Sequence, residues 1–165
     1  MDTTAIITGI ALIAIVLVPL ILHHQGKKNT EVRFLKDITT LAEKENAIIS
    51  QKEIWRDCYA IALDEKSKIL FYLNKLKHKE QKTVVDLFSI EKCRVATTSR
   101  NVRTNGGINL VIDRLDLILT FNRSDIPEKV LEFYDNDEFM TPDGELPLVE
   151  KWQCLINSQL KKGNK

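Results

Sequence analysis

The hydrophobic pattern of the chain begins with an unbroken apolar run over residues 5–22. Within this run no residue is charged, and only Thr8 has a polar side chain. A helix of this length spans about 27 Å, close to the ~30 Å hydrocarbon core of a bilayer. The flanks lack the positive n-region and the small-residue cleavage site of a secretory signal. We therefore predict a retained transmembrane helix at 5–22 behind a short tail at 1–4, with a cleaved signal or a soluble helix as the alternatives.

The next segment, residues 23–54, starts with a basic flank and continues with apolar residues at helical spacing. This pattern predicts an amphipathic linker helix. Its apolar face either packs on the following domain or self-associates as a short coiled coil, which would give a homo-oligomer through residues 30–54. The apolar positions are Phe34, Leu35, Ile38, Leu41, Ala42, Ile48 and Ile49.

From Trp55 onward, apolar and polar residues alternate with the period of two that is typical of strands. The polar residues 64–67 predict a turn that closes a first hairpin, and Asn105-Gly106-Gly107 predicts a tight reversal between later strands. The apolar parity switches near Asp113, so a bulge or break is expected there. The predicted strands are 55–63, 68–73, 83–87, 90–96, 113–122 and 129–134.

A second amphipathic helix is predicted at the C-terminal end. Asp143 or Glu145 can cap it, and Pro147 is tolerated in its first turn. The chain thus reads as α+β: a transmembrane helix, a linker helix, and an antiparallel β-barrel or sandwich closed by a C-terminal helix. The β domain with its helix covers 55–162, before a tail at 163–165. The apolar stripe of this helix is Leu148, Val149, Trp152, Leu155, Ile156 and Leu160.

Charge beside the apolar run predicts the topology. The N-terminal flank contains Asp2 and no cation, whereas the other flank is basic, with Lys27, Lys28, Arg33 and Lys36. By the positive-inside rule, we predict a single-pass protein of the cell (inner) membrane, with the N-terminus outside and the C-terminal domain in the cytoplasm. The cysteines agree with a reducing compartment, because Cys58, Cys93 and Cys154 are an odd, widely spaced set without a CxxC pair.

Several function classes lack their sequence signatures. The chain has no P-loop, GxSxG, HExxH or glycine-rich dinucleotide turn. The acidic runs 135–138 and 143–145 do not follow the EF-hand pattern. A net charge of +1 without a basic half argues against nucleic-acid binding. We therefore predict no catalysis, no cofactor and no metal, with an enzyme of unrecognised site as one alternative.

Three parts of the sequence carry a family resemblance. They are AIALDEKSKILFY at 60–72, VVDLFSIEKCRV at 84–95, and LEFYD at 131–135 with LPLVEKWQCLI at 146–156. In order and wording they resemble the pleckstrin-homology-like superfold, especially bacterial PH-like and GRAM-like domains, here behind a single-pass membrane anchor. The resemblance implies a first hairpin, a step into a further strand, and a final strand followed by a helix. A shared superfold does not transfer function.

Two surfaces are candidate sites. Lipid-binding members of the superfold place cations on the first hairpin, but here that turn, residues 64–67, is half acidic. Basic residues gather instead at Lys75, Lys77, Lys79 and Lys82, a candidate contact for anionic lipid headgroups. Thr97 and Thr98 mark the strand edge predicted to bind a protein or peptide partner. We predict a membrane-anchored cytoplasmic interaction or scaffold module, with a peripheral anionic-lipid sensor using residues 75–82 as the alternative.

Overall fold

The computed structural model describes residues 31–76, 78–104 and 107–161, and within them the chain is α+β. Two helices flank seven strands, and all strand pairs are antiparallel. A short 3-10 helix, Leu87–Ser89, connects the fourth and fifth strands. The elements are α1 (31–44), β1 (Gln51–Trp55), β2 (Tyr59–Asp64), β3 (Ile69–Leu76), β4 (Lys79–Asp86), β5 (Ile90–Thr104), β6 (Gly107–Phe121), β7 (Lys129–Asp135) and α2 (Glu145–Lys161).

The strands form two sheets, one of four strands in the order β1-β2-β3-β4 and one of three in the order β5-β6-β7. Both sheets and α2 bury side chains in one apolar core, with Tyr72, Phe133 and Trp152 among its largest members. No strand pairing joins the two sheets in the part of the chain that the structure describes. The closed barrel that we allowed as one form is therefore not seen, because side chains and α2 link the sheets where a barrel would use a strand ladder.

Helix α1 packs on the outer face of the four-stranded sheet. Alternation along β2 and β3 places one set of side chains in the main core and the other set under α1. The outer set includes Ala60 and Ala62, whose small side chains leave room for Phe34 and Ile38 of the helix. The apolar face of α1 is thus occupied within the chain, which is the first of the two alternatives for the linker helix.

The boundary between α1 and the sheet differs from our expectation. The helix ends before Asn46, whose φ of 52° terminates it, and the strand β1 begins at Gln51 rather than at Trp55. The predicted strand 55–63 is interrupted by a turn in which Arg56 and Asp57 have φ of 52° and 54°. Periodicity alone could not reveal this turn, because its residues continue the alternation.

The two predicted hairpins are confirmed. Asp64 accepts the backbone N–H groups of Lys66 and Ser67 at 2.8 and 3.1 Å, which stabilises the turn between β2 and β3. The β5–β6 pairing extends from Ile90 opposite Phe121 to Thr104 opposite Gly107, so β5 continues well past the predicted end at 96. Residues 105 and 106 of the predicted reversal lie outside the described residues. Its register skips one residue of β6 between Arg114 and Ile112, which confirms the bulge expected near Asp113.

Helix α2 closes one side of the core, as predicted. Its side chain Glu145 accepts the N–H of Asp143 and pairs with Arg56 in the turn before β2. The inward face of the helix is formed by Val149, Trp152 and Ile156, each at most 1% exposed. Burial of this stripe fixes α2 on both the three-stranded sheet and the main core.

The predicted transmembrane helix at 5–22 and the terminal tails lie outside the described residues. Among the residues that are described, no helix is both long enough and apolar enough to cross a bilayer. The prediction of an anchor therefore stays a prediction.

Candidate functional site

The predicted partner edge lies on β5, which is one of the two outer strands of the three-stranded sheet. Thr97 and Thr98 pair with Leu115 and Arg114 on β6, and both threonines are exposed. The run from 95 to 99 contains no charged residue and no proline, the two features that most often protect an edge strand from pairing.

A side chain of α2 shows which backbone groups of β5 face away from β6. Asn157 donates from Nδ2 to the carbonyl of Cys93 over 2.9 Å and accepts the N–H of Cys93 at Oδ1 over 3.3 Å. The side-chain amide thus occupies the position of a neighbouring strand. Because strand backbone groups alternate in direction, the N–H and C=O of Val95 and Thr97 point to the same free side as those of Cys93.

The part of the β5 edge that is open to a further strand therefore begins directly after Cys93. Asn157 satisfies the edge groups of Cys93, and the outward groups of Val95 and Thr97 follow without a strand neighbour among the described residues. Unpaired edge groups in this geometry are the groups that bind an added strand.

The predicted lysine cluster lies on the β3–β4 hairpin. Lys75 forms an ion pair with Asp37 of α1, Lys79 Nζ lies 2.5 Å from Glu132 Oε2, and Lys82 Nζ lies 3.0 Å from Glu80. Lys77 is outside the described residues. Each described lysine of the cluster thus has a carboxylate neighbour, which lowers the net positive field that this hairpin offers to a lipid headgroup.

Glu132, a residue that the sequence did not single out, is the centre of a buried polar cluster between the two sheets. Its carboxylate is only 3% exposed and accepts the hydroxyl of Tyr59 at 2.8 Å. Lys79 binds the same carboxylate, and Arg114 Nη2 lies 3.2 Å from it. The hydroxyl of Tyr72 donates to the Glu132 backbone carbonyl.

The two cations of this cluster compensate its buried carboxylates. Arg114 Nε also donates to Asp116 over 2.7 Å. Burial raises the pKa of Asp116, and the hydrogen bond from Arg114 only partly offsets this effect. Burial, the hydrogen bond to Glu132 and the negative charge of Glu132 also raise the pKa of Tyr59. The tyrosine therefore stays protonated and serves as a donor, so we interpret the cluster as a polar connection between the sheets.

Alternation is the reason why the sequence did not reveal Glu132. In LEFYD the glutamate falls between Leu131 and Phe133, so a period of two places it on the solvent face. The structure buries all four residues 131–134, and the β6–β7 register shifts beside them, where Asp116 pairs with Glu132. The one sequence feature that could have indicated a buried carboxylate is the single charged residue within the otherwise apolar run 130–134.

Other potential chemistry is sparse in the described residues. They contain no group of three or more His, Cys, Asp and Glu side chains that could hold a metal ion. Burial raises the pKa of Cys58 and of Cys93 to about 12, which leaves both thiols protonated and weakly nucleophilic at neutral pH. Cys154 is exposed on α2.

Comparisons of the chain with protein-family models, with curated proteins and with solved structures find no match.

Proposed function

We propose that this chain is a non-catalytic interaction module with a PH-like domain, anchored in the cell membrane by residues 5–22, with the domain on the cytoplasmic side. Its partner is an extended segment of another protein, which adds to the free edge of β5 as a further strand. Backbone hydrogen bonds supply affinity in this mode, and flanking side chains supply selectivity.

Several features support the PH-like assignment. The three segments on which the resemblance rests adopt the elements that it implies: the β2–β3 hairpin, the step from β4 through the 3-10 helix into β5, and β7 followed by α2. The predicted anchor and its basic flank support a position at the membrane.

The observation that carries the proposal is the outward direction of the Thr97 backbone on an exposed, uncharged edge. The cap at Cys93 shows that this edge accepts hydrogen bonds from a group that mimics a strand. The described lysines of the β3–β4 hairpin, in contrast, already lie beside carboxylates. The structure therefore favours a protein partner over the alternative of a lipid sensor.

Replacing Thr97 with proline tests the proposal directly. Proline removes an outward N–H without breaking the β5–β6 ladder, so the fold should persist. A peptide selected against the full chain from a random displayed library should bind Thr97→Pro at least about fivefold more weakly, because one backbone hydrogen bond of about 1 kcal/mol is lost.

Thr97→Ala is the matched control, since it removes the side chain and keeps the N–H. This variant should bind the selected peptide with nearly unchanged affinity. Equal binding by a folded Thr97→Pro variant would exclude this edge, and equal loss in both variants would point to side-chain recognition in place of strand addition.

A further inference from the structure

One end of the domain, which we call the near end, holds the start of α1 and the β3–β4 turn. Lys75 Nζ, just before that turn, lies 4.9 Å from the ring centroid of Phe34 in α1. At the opposite, far end, the N–H of Ile48 after α1 donates to Asp64 Oδ2 over 2.8 Å. The chain therefore enters the described fold at the near end, directly after residues 23–30.

A two-stranded arm, formed by residues 99–104 of β5 and 107–112 of β6, has its base at the same end. β7 pairs with β6 only from Arg114 onward, so the arm has no third strand among the described residues. Arg114 is held at the near end because it shares the carboxylate of Glu132 with Lys79, the first residue after the β3–β4 turn.

The direction of β6 shows where the arm points. Its last residue, Phe121, pairs with Ile90 beside the 3-10 helix, and Leu87 of that helix donates its N–H to the carbonyl of Lys68 at the far end. β6 thus runs from the near end to the far end, and the residues before Arg114 project beyond the near end. At ~3.4 Å per residue the arm is about 20 Å long.

The surface of the arm is basic and partly apolar. Arg100 and Arg103 are exposed, and Leu110 is 69% exposed. No acidic residue occurs within the arm, and Arg100 Nε lies 3.1 Å from Asp113 at its base. Asn101 pairs with Leu110, so alternation along the strands places Arg103 on the same face of the arm as Leu110, and Arg100 on the opposite face. An exposed cation next to an exposed apolar side chain is the combination that binds the interface of an anionic bilayer.

We propose that the arm contacts the bilayer in which the chain is anchored, with Arg103 binding anionic headgroups and Leu110 entering the interface. This inference rests on the proposed anchor at 5–22. Residues 23–30 span at most about 27 Å, so the anchor holds the near end within a distance that is comparable to the ~20 Å reach of the arm. The contact places the free edge of β5 beside the membrane, where it would meet membrane-proximal segments of other proteins.

Full-length protein in vesicles of phosphatidylcholine, with or without phosphatidylserine, tests this contact. Cys154→Ser removes the exposed native thiol, and the other two cysteines are buried. Asn101→Cys, on the exposed arm, then carries an environment-sensitive fluorophore. Asn101 lies on the same face as Arg103 and Leu110. We expect a blue shift of the fluorophore's emission when phosphatidylserine is present, and loss of most of that shift when Arg103→Gln is added.

A label at Ser124→Cys, in the exposed β6–β7 loop at the far end, is the matched control and should not respond. Flotation of the vesicles after an alkaline wash reports the anchor separately. If the protein floats but the arm label ignores phosphatidylserine, responds no more than the control, or keeps its shift in the arginine variant, the arm contact is wrong and the anchor stands. If the wash removes the protein, both the anchor and the arm contact are wrong.

Discussion

At the residue scale, single buried side chains connect elements that are distant in sequence. Trp152 is 1% exposed at the centre of α2, and Trp55 stacks on Phe133 with ring centroids 4.6 Å apart. Trp55 also donates its indole N–H to the Phe133 carbonyl over 2.9 Å. The contacts of Trp55 join β1 to β7, and Trp152 of α2 lies in the same core, so the loss of either tryptophan should destabilise the whole domain.

Trp152→Ala should lower the free energy of unfolding by about 3 to 5 kcal/mol, because it leaves a large cavity in the core. Urea titration of the full chain, followed by near-UV circular dichroism, measures this change. Cys154→Ala, on the exposed side of the same helix, is the control and should have little effect. Similar midpoints for the two variants would contradict the packing of α2 described above.

Asp116→Asn tests the buried polar cluster through pH. Because burial raises the pKa of Asp116 in the folded state, the stabilising contribution of its protonation is present in acid and is lost as pH rises through that raised pKa. The uncharged asparagine should therefore increase the free energy of unfolding at neutral pH, and this gain should shrink in acid. Urea titrations at both pH values measure the difference.

Asp125→Asn is a control of opposite sign for this experiment. The hydrogen bond from Arg123 lowers the pKa of the exposed Asp125, so its removal should slightly destabilise the protein at neutral pH. A gain for Asp116→Asn that is the same at both pH values would show that the effect does not come from titration.

At the element scale, α1 is a structural layer of the domain as well as a linker. Ile38 is fully buried against the outer face of β2 and β3, whereas Val32 is 63% exposed. Ile38→Ala should cost about 2 to 5 kcal/mol of stability, and Val32→Ala should cost almost nothing. Urea titration measures the stability, and sedimentation in detergent reports the oligomeric state. A change of oligomeric state without loss of stability in Ile38→Ala would instead favour the coiled-coil alternative.

Most of these elements could be predicted from the sequence, because apolar residues recur along α2 and along β2 to β7 at the spacing of a helix or a strand, and these residues pack in the core. The turn before β2 could not, since Arg56 has no intrinsic preference for positive φ and is held by Glu145, far away in the chain. The extension of β5 was missed because residues 97–101 are polar, and only their pairing with β6 makes them a strand. Within the candidate site, the polarity of Thr97 was enough to predict an exposed strand edge. The hydrogen bonds from Asn157 to Cys93 could not be predicted, because they depend on how α2 packs beside β5.

At the scale of the whole molecule, the orientation of the predicted membrane anchor can be tested directly. Because positive charge follows the apolar run and does not precede it, a reporter fused after Lys165 should be active in the cytoplasm. Paired fusions of a phosphatase that works only outside and a fluorescent protein that folds only inside provide the measurement. Phosphatase activity from this position would reverse the orientation and remove the reducing environment inferred for the cysteines.

The packing of α1 also determines how the domain would respond to mechanical force. A pull on the chain before residue 31 enters the fold at the near end and acts on the first turn of α1. Because α1 runs from the near end to the far end, this pull acts along the helix axis. Phe34, Ile38 and Ala42 therefore resist it together, as contacts that are sheared at the same time and not broken one after another. The layer between α1 and the four-stranded sheet thus carries tension from the anchor into the domain, while the main core lies beneath that sheet.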